Sequence, residues 1–422
     1  MPSGPENPRR PGAKVLLAMS GGVDSSLAAA LLKEQGYDVV GVFMRLGSPG
    51  DTLDTPLPDA CDTTKIKLGK QGCCSVGDAA DARLVAAHLG IPFYVCNFKN
   101  DFDRIIDYFV DEYASGRTPN PCVRCNDWLK FGKLHDYAQQ LGADLVASGH
   151  YARVLPPSPF RGEGRGEGSP FSSSYSLLRA IDHTKDQSYV LFGVPRDHLS
   201  RMLLPIGHLR KSETRAMAEA RHLPVFDKPD SQEICFVPDN DYAGLVERRR
   251  PDLATRGAIL DTDGHEIGEH DGAHHFTIGQ RRGLNLPLGR PVYVVAKDAT
   301  NNTITVGDRD DLLADGCLAA EANWLVDSRD FVDWTPCHAQ IRYNASAVPA
   351  RVRVIPDLDA PTPSGRTAAI EVRFDEPQPA VAPGQAVVLY SHHDPDLVLG
   401  GAWIARATPM SRNTPTSAAL NA

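Results

Sequence analysis

The sequence has no long hydrophobic segment and no excess of positive charge. No apolar run in its 422 residues approaches the roughly 20 residues that cross a bilayer. The segment 1–13 is rich in Pro, Gly and Arg and has no apolar signal-peptide core, so we expect a cytoplasmic protein that has no membrane partner. The formal net charge of −9 argues against non-specific coating of nucleic acid, whereas an enzyme that grips one folded RNA needs only local Arg and Lys contacts.

The cysteines do not suit a disulfide framework. Their number is nine, which is odd, and thiols are kept reduced in the cytoplasm. Cys122 and Cys125 form a Cys-x-x-Cys pair, but no second such pair and no His-x-x-x-His completes a usual tetrahedral zinc set. We therefore expect thiols that are reactive or bind metal.

The sequence also lacks the Gly-x-x-x-x-Gly-Lys-Ser/Thr phosphate loop and has a different glycine loop, Ser20–Ser26 (Ser-Gly-Gly-Val-Asp-Ser-Ser). This loop follows an apolar strand and opens an Ala/Leu-rich helix, so backbone N–H groups and the helix dipole both favour an anion there. Gly21 and Gly22 allow a tight turn, and Asp24 can hold Mg²⁺ on a polyphosphate. The alternative is an ordinary helix start, which needs only one Ser or Asp as a cap.

Apolar strands and helical stretches alternate from residue 14 to about residue 150. This order predicts an α/β domain with a parallel sheet, helices on both faces, and a nucleotide site at the edge where the strands end. The predicted strands are 15–19, 38–44, 93–97 and 145–149, and the predicted helices are 25–35, 78–89, 102–115 and 127–141.

After about residue 230 helical periodicity fades, and glycine-rich turns separate short β-branched runs at 291–296, 303–306, 350–355, 368–374 and 386–390. Such spacing favours a small barrel or sandwich, and we predict a C-terminal antiparallel β-barrel after a small connecting domain. The predicted domains are 14–228, 229–303 and 304–406, with flexible tails at 1–13 and 407–422. The predicted interruptions are a loop at 47–77 that contains Cys61, Cys73 and Cys74, a disordered insertion at about 156–174 and a hairpin tip at 361–367.

A second motif, Gly116–Asn126, contains the Cys-x-x-Cys pair. Its two prolines hold the backbone extended, and Asn126 is predicted to cap the following helix. Cys125 is then expected near a helix N-terminus beside Arg124, a setting that favours the thiolate. A third thiol, Cys235, lies in Ser231–Phe236.

Together these motifs resemble the tRNA-specific 2-thiouridylases, PP-loop ATPases that convert the wobble uridine of tRNA to 2-thiouridine. The resemblance extends over about residues 14 to 405, and it implies an adenine-nucleotide hydrolase-like fold for the N-terminal domain. The matching segments, in the order of the family, are 20–26, 43–44, 116–126, 147–151, 185–188, 232–236, 264–270, 277–283 and 383–385.

The resemblance implies a role for each matching residue. It implies ATP binding by Ala18, Met19, Ser20, Gly21, Gly22, Val23, Asp24, Ser25, Met44 and Gly149, with Mg²⁺ on Asp24. It implies a nucleophile at Cys125, a persulfide carrier at Cys235, and contact with the target base by Asn120, Pro121 and Cys122. The residues expected to contact tRNA are His150, Lys185, Asp186, Gln187, Arg281, Arg282, Arg342, Tyr343 and Gln385. For His150 a core-capping role is the alternative, and for the Arg pairs a solvated surface.

One departure leaves the mechanism open. Many members of the family have Asp where this chain has Cys122, and Cys122, Cys125 and Cys235 could hold three irons of a [4Fe–4S] cluster. That scheme competes with a persulfide delivered by a cysteine desulfurase or relay protein. Two other classes fit part of the sequence: a PP-loop ligase that makes an amide or amidine uses the glycine loop but not the thiols, and a zinc-holding RNA-binding protein uses the thiols but not the loop.

Overall fold

The computed structural model of the chain describes residues 11–47, 76–157, 175–230, 234–237, 241–355 and 369–410. Several predicted features lie outside the described residues: Cys61, Cys73 and Cys74 of the loop, most of the insertion near 156–174, the hairpin tip 361–367, residues 231–233, and most of both tails. Among the described residues, no helix is both long and apolar enough to cross a membrane.

The N-terminal domain contains a five-stranded parallel sheet, which confirms the α/β prediction. Its strands are β1 Lys14–Ala18, β2 Asp38–Arg45, β3 Phe93–Asn97, β4 Leu145–Ser148 and β7 Met202–Leu203, in the order β3-β2-β1-β4-β7. The chain builds β2 and β3 on one side of β1 and then β4 and β7 on the other. A crevice therefore opens at the carboxyl ends of β1 and β4, the place where open α/β sheets bind ligands.

Helices cover both faces of this sheet. They are α1 Val23–Glu34, α2 Val76–Leu89, α3 Lys99–Ala114, α4 Pro121–Arg124, a π-helix Cys125–Lys133, α5 Leu134–Gln140 and α6 Lys211–Ala220. Successive side chains of β1 alternate between two apolar clusters: Leu17 packs in the cluster of Leu27 from α1, and Leu16 in the cluster of Phe102 from α3. Leu16, Leu17 and Leu27 are fully buried, and each contributes roughly 1.5–3 kcal/mol by leaving water.

A short antiparallel ribbon, β5 Ala152–Leu155 with β6 Ser176–Arg179, follows the sheet. Helix α7 Tyr242–Arg249 then leads to a four-stranded middle sheet in the order β10-β11-β8-β9. Its strands are β8 Gly257–Leu260, β9 Glu266–His270, β10 Tyr293–Asp298 and β11 Thr303–Gly307. Because β11 pairs with β10 and β8, the predicted division of the chain after residue 303 falls inside this sheet.

The C-terminal part is a closed antiparallel barrel, so the prediction of a barrel is confirmed and the sandwich alternative is wrong. Its strands are β12 Leu313–Trp324, β13 Thr335–Gln340, β14 Val348–Ile355, β15 Ala369–Pro379, β16 Ala386–Ser391 and β17 Val398–Pro409, closed in the order β12-β15-β14-β13-β16-β17. Cys317 and Cys337 lie fully buried in its core. Burial raises the pKa of each thiol to about 12, so these two cysteines are suited to packing rather than to chemistry.

The barrel packs against the N-terminal domain through polar contacts as well as apolar ones. The side-chain amide of Asn323 donates to the carbonyls of Phe192 and Val194, at 2.5 and 2.9 Å. Arg153 pairs with Asp396 at 2.6 Å. Arg124, next to Cys125, also pairs with Glu321 of the barrel, so the barrel lies beside the segment that contains Cys122 and Cys125.

Candidate active site

The glycine loop lies at the crevice between β1 and β4, between the end of β1 and the start of α1. The hydroxyl of Ser25 accepts from the backbone N–H of Ser20 at 3.1 Å, and that of Ser26 donates to the carbonyl of Gly22 at 2.8 Å. Gly22 occupies the N-cap of α1 and has no side chain to cap it, so an anion can accept from the first-turn N–H groups. The loop thus has the geometry expected for a polyphosphate site.

Two glycines allow the backbone of the loop to pack closely against neighbouring backbone atoms. Gly21 has φ +73°, and a Cβ built on it would lie 2.2 Å from the carbonyl oxygen of Asp78. Gly149, which follows β4, packs so tightly on α1 that a Cβ would lie 2.6 Å from the backbone nitrogen of Ser25. Either position excludes a larger residue unless the loop moves.

Asp24, the predicted magnesium ligand, is already engaged by protein groups. Its carboxylate accepts from Lys211 Nζ at 2.8 and 2.9 Å and from the hydroxyl of Tyr151 at 2.9 Å. The side chain is 31% exposed, and its oxygens are the hard donors that Mg²⁺ prefers. The residue therefore fits a magnesium site in which the cation competes with Lys211 for the carboxylate.

Lys211, the first residue of α6, also contacts a second carboxylate that the sequence analysis did not select. Its Nζ lies 2.8 Å from Asp230, which also pairs with Lys185 at 2.9 Å and Arg215 at 2.8 Å. Burial alone would raise the pKa of Asp230, but hydrogen bonds from Lys211 and Lys185 outweigh it and hold the pKa at about 2. Three cations thus meet one ionised carboxylate close to the glycine loop.

Lys228 is another cation that the sequence analysis missed. Its Nζ donates to the carbonyl of Gly21 at 3.1 Å and pairs with Asp78 and Asp81 at 2.7 and 2.5 Å. Lys211 and Lys228 follow β7 in the chain, where loops of a parallel sheet meet its ligand-binding edge. Their position after a strand of the parallel sheet could have indicated this role. However, β7 has only two residues, and so short a strand has no recognisable sequence pattern.

The Cys-x-x-Cys segment folds differently from the prediction. The helix expected at 127–141 is a succession of α4, the π-helix and α5. Asn120, not Asn126, is the cap: its side-chain oxygen accepts from Val123 N at 3.4 Å, and the Asn126 amide donates to the carbonyl of Cys122 at 3.1 Å. The capping prediction is wrong because the helix starts at Pro121, six residues before the predicted start at residue 127 and at a first-turn position that suits proline.

Cys125 follows the four residues of α4 and is the first residue of the π-helix, with Arg124 before it, so it lies near a helix N-terminus as predicted. Cys122, in the first turn of α4, is exposed, whereas Cys125 and Cys235 are half-buried. π-helical turns are rare and occur often at functional sites.

Arg124 points its charge toward the barrel. Its guanidinium contacts both carboxylate oxygens of Glu321 at 3.1 and 3.2 Å and lies 4.1 Å from the ring centre of Trp403. The residue is 5% exposed. Glu321 is the ionic partner of this charge, and the expectation that the charge favours the Cys125 thiolate stays a prediction.

Cys125 and Cys235, which are 110 residues apart in sequence, pack against the same apolar cluster. Phe236, next to Cys235, contacts Phe102 and Phe109 of α3 with ring centres 5.5 and 5.3 Å apart. The cluster extends to Ala18 at the end of β1 and to Met44 in β2. Both thiols thus share an apolar cluster that reaches the end of β1, whereas Met19 and Val23 beside and within the glycine loop pack in the second cluster. The roles of the two thiols stay predictions.

The segment predicted to touch the target base adjoins several residues predicted to contact tRNA. Gln385 donates to the carbonyls of Thr118 and Pro119, both at 3.1 Å. Burial raises the pKa of Tyr343, with further contributions from Asp186 and Cys122, so these three side chains are neighbours. Asp186 and Tyr343 also line a cleft of about 480 Å³ that includes Arg179, His183 and His338.

Other residues predicted to contact tRNA form hydrogen bonds or ion pairs with residues of this chain. Lys185 pairs with Asp230, Gln187 accepts from Tyr151 N at 2.9 Å, and Arg342 donates to the carbonyls of Pro379 and Ala380. His150 is 6% exposed, and Ser148 Oγ lies 2.7 Å from its Nδ1.

Burial lowers the pKa of His150 well below its usual value, which agrees with the alternative of a core histidine; its contact with tRNA stays a prediction. Arg281 and Arg282 are exposed on the middle domain.

Comparisons with known proteins cover most of the chain. Three family models match: "tRNA methyl transferase HUP domain" over residues 13–239, "tRNA methyl transferase PRC-barrel domain" over 245–308 and "Aminomethyltransferase beta-barrel domain" over 314–404. The tRNA-specific 2-thiouridylase MnmA of Rhodopirellula baltica is 45% identical over 93% of this chain and 96% of its own length. The proteins of the same name from Roseiflexus sp. (strain RS-1) and Geotalea uraniireducens are 45% and 43% identical, each over 93% of this chain and over 100% and 95% of their own lengths.

Proposed function

The chain belongs to the tRNA-specific 2-thiouridylase family, and we propose that it transfers sulfur to C2 of the wobble uridine of tRNA at the expense of ATP. The products are 2-thiouridine, AMP and pyrophosphate. The observation that supports this most is the combination of a glycine loop at a helix N-terminus with two distant thiols, Cys125 and Cys235, on one apolar cluster. The relatives that match over nearly their full length are named 2-thiouridylases, and sulfur transfer gives the two thiols a role. Methyl transfer, which the family description mentions, would not require them.

The glycine loop serves the activation step. A urea-like carbonyl oxygen is a very poor leaving group, so it is first joined to AMP. Backbone N–H groups of the loop, with Lys211 and Lys228 beside it, bind and orient the triphosphate and stabilise the departing pyrophosphate. Mg²⁺ on Asp24 would neutralise charge on the phosphates.

The thiols serve the sulfur step. A persulfide on Cys235 carries a terminal sulfur that attacks C2 of the activated uridine, and AMP leaves with the old oxygen. Cys125 then attacks the inner sulfur of Cys235, so the S–S bond to the transferred sulfur breaks and a Cys125–Cys235 disulfide forms. Alternatively, Cys125 first releases the sulfur as hydrosulfide, which attacks C2. In either order two thiols lose two electrons, and the transferred sulfur gains them.

The iron–sulfur alternative uses the same three thiols. Within the described part of the chain, the sulfurs of Cys122, Cys125 and Cys235 do not form a group within 4.8 Å of one another, as ligands of a single metal ion would. The thiolate ligands of a [4Fe–4S] cluster lie farther apart than the ligands of one metal ion, so iron and sulfide analysis is needed to test for a cluster. Anaerobic purification followed by iron and acid-labile sulfide analysis distinguishes the schemes: we expect a colourless, iron-free protein with full activity, and iron-dependent activity contradicts this.

The partners follow from the substrate. We propose that the anticodon stem-loop lies against the cleft near Asp186 and Tyr343 and against Arg281 and Arg282, with the base taken out of its stack. A cysteine desulfurase or a sulfur-relay protein supplies the persulfide. We place the reaction in the cytoplasm, where tRNA and ATP are available.

Pyrophosphate release and nucleoside analysis test the proposal together. With purified protein, Mg²⁺ and a persulfide source, pyrophosphate release should require both ATP and tRNA, and mass spectrometry of digested tRNA should detect wobble 2-thiouridine. Stimulation by ammonia or an amino acid in place of sulfur would support an amide-forming ligase. No turnover at all would support a non-enzymatic RNA-binding protein.

A further inference from the structure

The middle of the chain contains a cluster of metal-ligating side chains that the thiolation chemistry does not use. Glu247 of α7 and the adjacent His274 and His275 each offer one ligand atom, and these atoms lie within 4.8 Å of one another. The Nε2 atoms of His274 and His275 lie 3.2 and 2.9 Å from the same carboxylate oxygen, Glu247 Oε1. Two imidazoles from a 3₁₀ turn, Ala273–His275, thus converge on a helix 27 residues earlier in the chain.

The His274 ring packs closely against the backbone at Gly272. Gly272 has φ +157°, and a Cβ there would lie 2.4 Å from His274 Cε1, so only glycine lets this ring lie where it does. The His274 side chain is 2% exposed, whereas His275 and Glu247 are 38% and 37% exposed. One ligand is therefore rigidly held in the interior, and the other two close the cluster from the solvent side.

The spacing suits a small divalent cation. Ligand atoms bound to Zn²⁺ at 2.0–2.1 Å in a tetrahedron lie about 3.3–3.4 Å apart, which is close to the two nitrogen–oxygen distances here. A small outward movement makes room for the ion at the cost of two hydrogen bonds. Two imidazoles with one carboxylate favour zinc or a similar transition metal over Mg²⁺ or Ca²⁺, which prefer oxygen ligands.

The surrounding charge does not prevent cation binding. A neutral imidazole offers a nitrogen lone pair to a metal ion, and Glu247 brings a negative charge to the cluster. Lys297 acts electrostatically on His274, but burial lowers the pKa of Lys297 itself to about 8. Its Nζ donates to the carbonyl of Phe276 at 2.7 Å, so it is held by the backbone beyond His275.

We propose that Glu247, His274 and His275 bind one Zn²⁺ or similar divalent transition-metal ion, with water in the fourth position. The ion joins α7 to the turn that precedes Phe276–Gly283, the segment that presents Arg281 and Arg282. It thereby fixes the position of a surface that we expect to contact tRNA. The metal site depends on the geometry of these three residues and not on the sulfur chemistry.

Metal binding by the full chain tests this site without measuring thiolation. In a Cys122→Ser/Cys125→Ser/Cys235→Ser background, which removes the competing candidate thiol ligands, apo-protein is titrated with Co²⁺ and then Zn²⁺. We expect one tightly bound Co²⁺ whose visible spectrum shows nitrogen and oxygen ligation and which Zn²⁺ displaces. His275→Asn and Glu247→Gln each change a partly exposed residue, and each should weaken binding at least tenfold while circular dichroism stays unchanged.

A second cluster in the same domain supplies the matched control. Asp261, Asp263 and His265 also bring three ligand atoms together, but the Asp261 carboxylate accepts hydrogen bonds from the backbone N–H groups of Asp263 and His265, as in an ordinary turn. His265→Asn should leave Co²⁺ affinity within about twofold of the parent. The proposal is overturned if the parent binds no Co²⁺ saturably, if His275→Asn and Glu247→Gln bind like the parent, or if only His265→Asn loses binding.

Discussion

Removing the negative charge of Glu321 should destabilise the junction between the barrel and the cysteine segment. Arg124 is 5% exposed and has Glu321 as its ionic partner at 3.1 Å, while its Nε and Nη1 have no hydrogen-bond partner and lie among the rings of Tyr108, Trp128 and Trp403. Losing one member of a buried pair costs about 3–5 kcal/mol. The Glu321 side chain is 23% exposed, and glutamine still accepts a hydrogen bond, so we expect about 2 kcal/mol for Glu321→Gln.

The double variant makes this prediction specific. Arg124→Met removes the buried charge that Glu321→Gln strands, so Arg124→Met/Glu321→Gln should be more stable than Glu321→Gln alone, by about 1 kcal/mol. Urea denaturation followed by tryptophan fluorescence measures this, because Trp128 and Trp403 line the pocket of Arg124. The exposed pair of Lys133 with Asp101 is the control, and Lys133→Met should change stability by no more than about 0.5 kcal/mol. Costs that simply add in the double variant would refute the idea of a stranded charge.

Three further predictions concern the glycine loop and its cations. Lys211→Met should lower ATP- and tRNA-dependent pyrophosphate release at least tenfold, because it removes the cation between Asp24 and Asp230; unchanged release, with Lys133→Met as the control, would exclude Lys211 from activation. Gly149→Ala should weaken ATP binding measured by calorimetry, since its Cβ would lie 2.6 Å from Ser25 N, and normal affinity would mean that the loop tolerates displacement. The Asp230 pKa of about 2 lies below its ordinary 3.8. The ionised carboxylate therefore stabilises the folded protein by roughly 2 kcal/mol, and this contribution is complete above pH 4 and is lost as pH falls toward 2. Asp230→Asn should flatten that part of an acid-denaturation profile, and an unchanged slope would contradict the assignment.

The sequence predicts the parts of this protein that depend on local pattern. The β1 strand with its glycine loop, the alternation that builds the parallel sheet, and the β-branched runs of the barrel are all visible as periodicity and turn residues. Phe93–Asn97 is predicted to the residue.

What sequence reasoning missed depends on contacts between distant residues. Lys211 and Lys228 reach the glycine loop from about 190 and 207 residues away, and Glu321 reaches Arg124 from the barrel. No local pattern records such pairs. The cap at Asn120 was missed for another reason: Pro121 fits both an extended segment and the first turn of a helix, so the local sequence does not distinguish the two.

In the proposed mechanism, Cys125 and Cys235 act as a pair beside the glycine loop. The most direct test loads one persulfide per chain, supplies ATP and tRNA for a single turnover, and identifies disulfide-linked peptides by mass spectrometry without reduction. We predict one Cys125–Cys235 disulfide for each 2-thiouridine formed, and Cys235→Ser should still release pyrophosphate but form no 2-thiouridine. Thiolation by Cys235→Ser, or 2-thiouridine formed without that disulfide, would contradict the account.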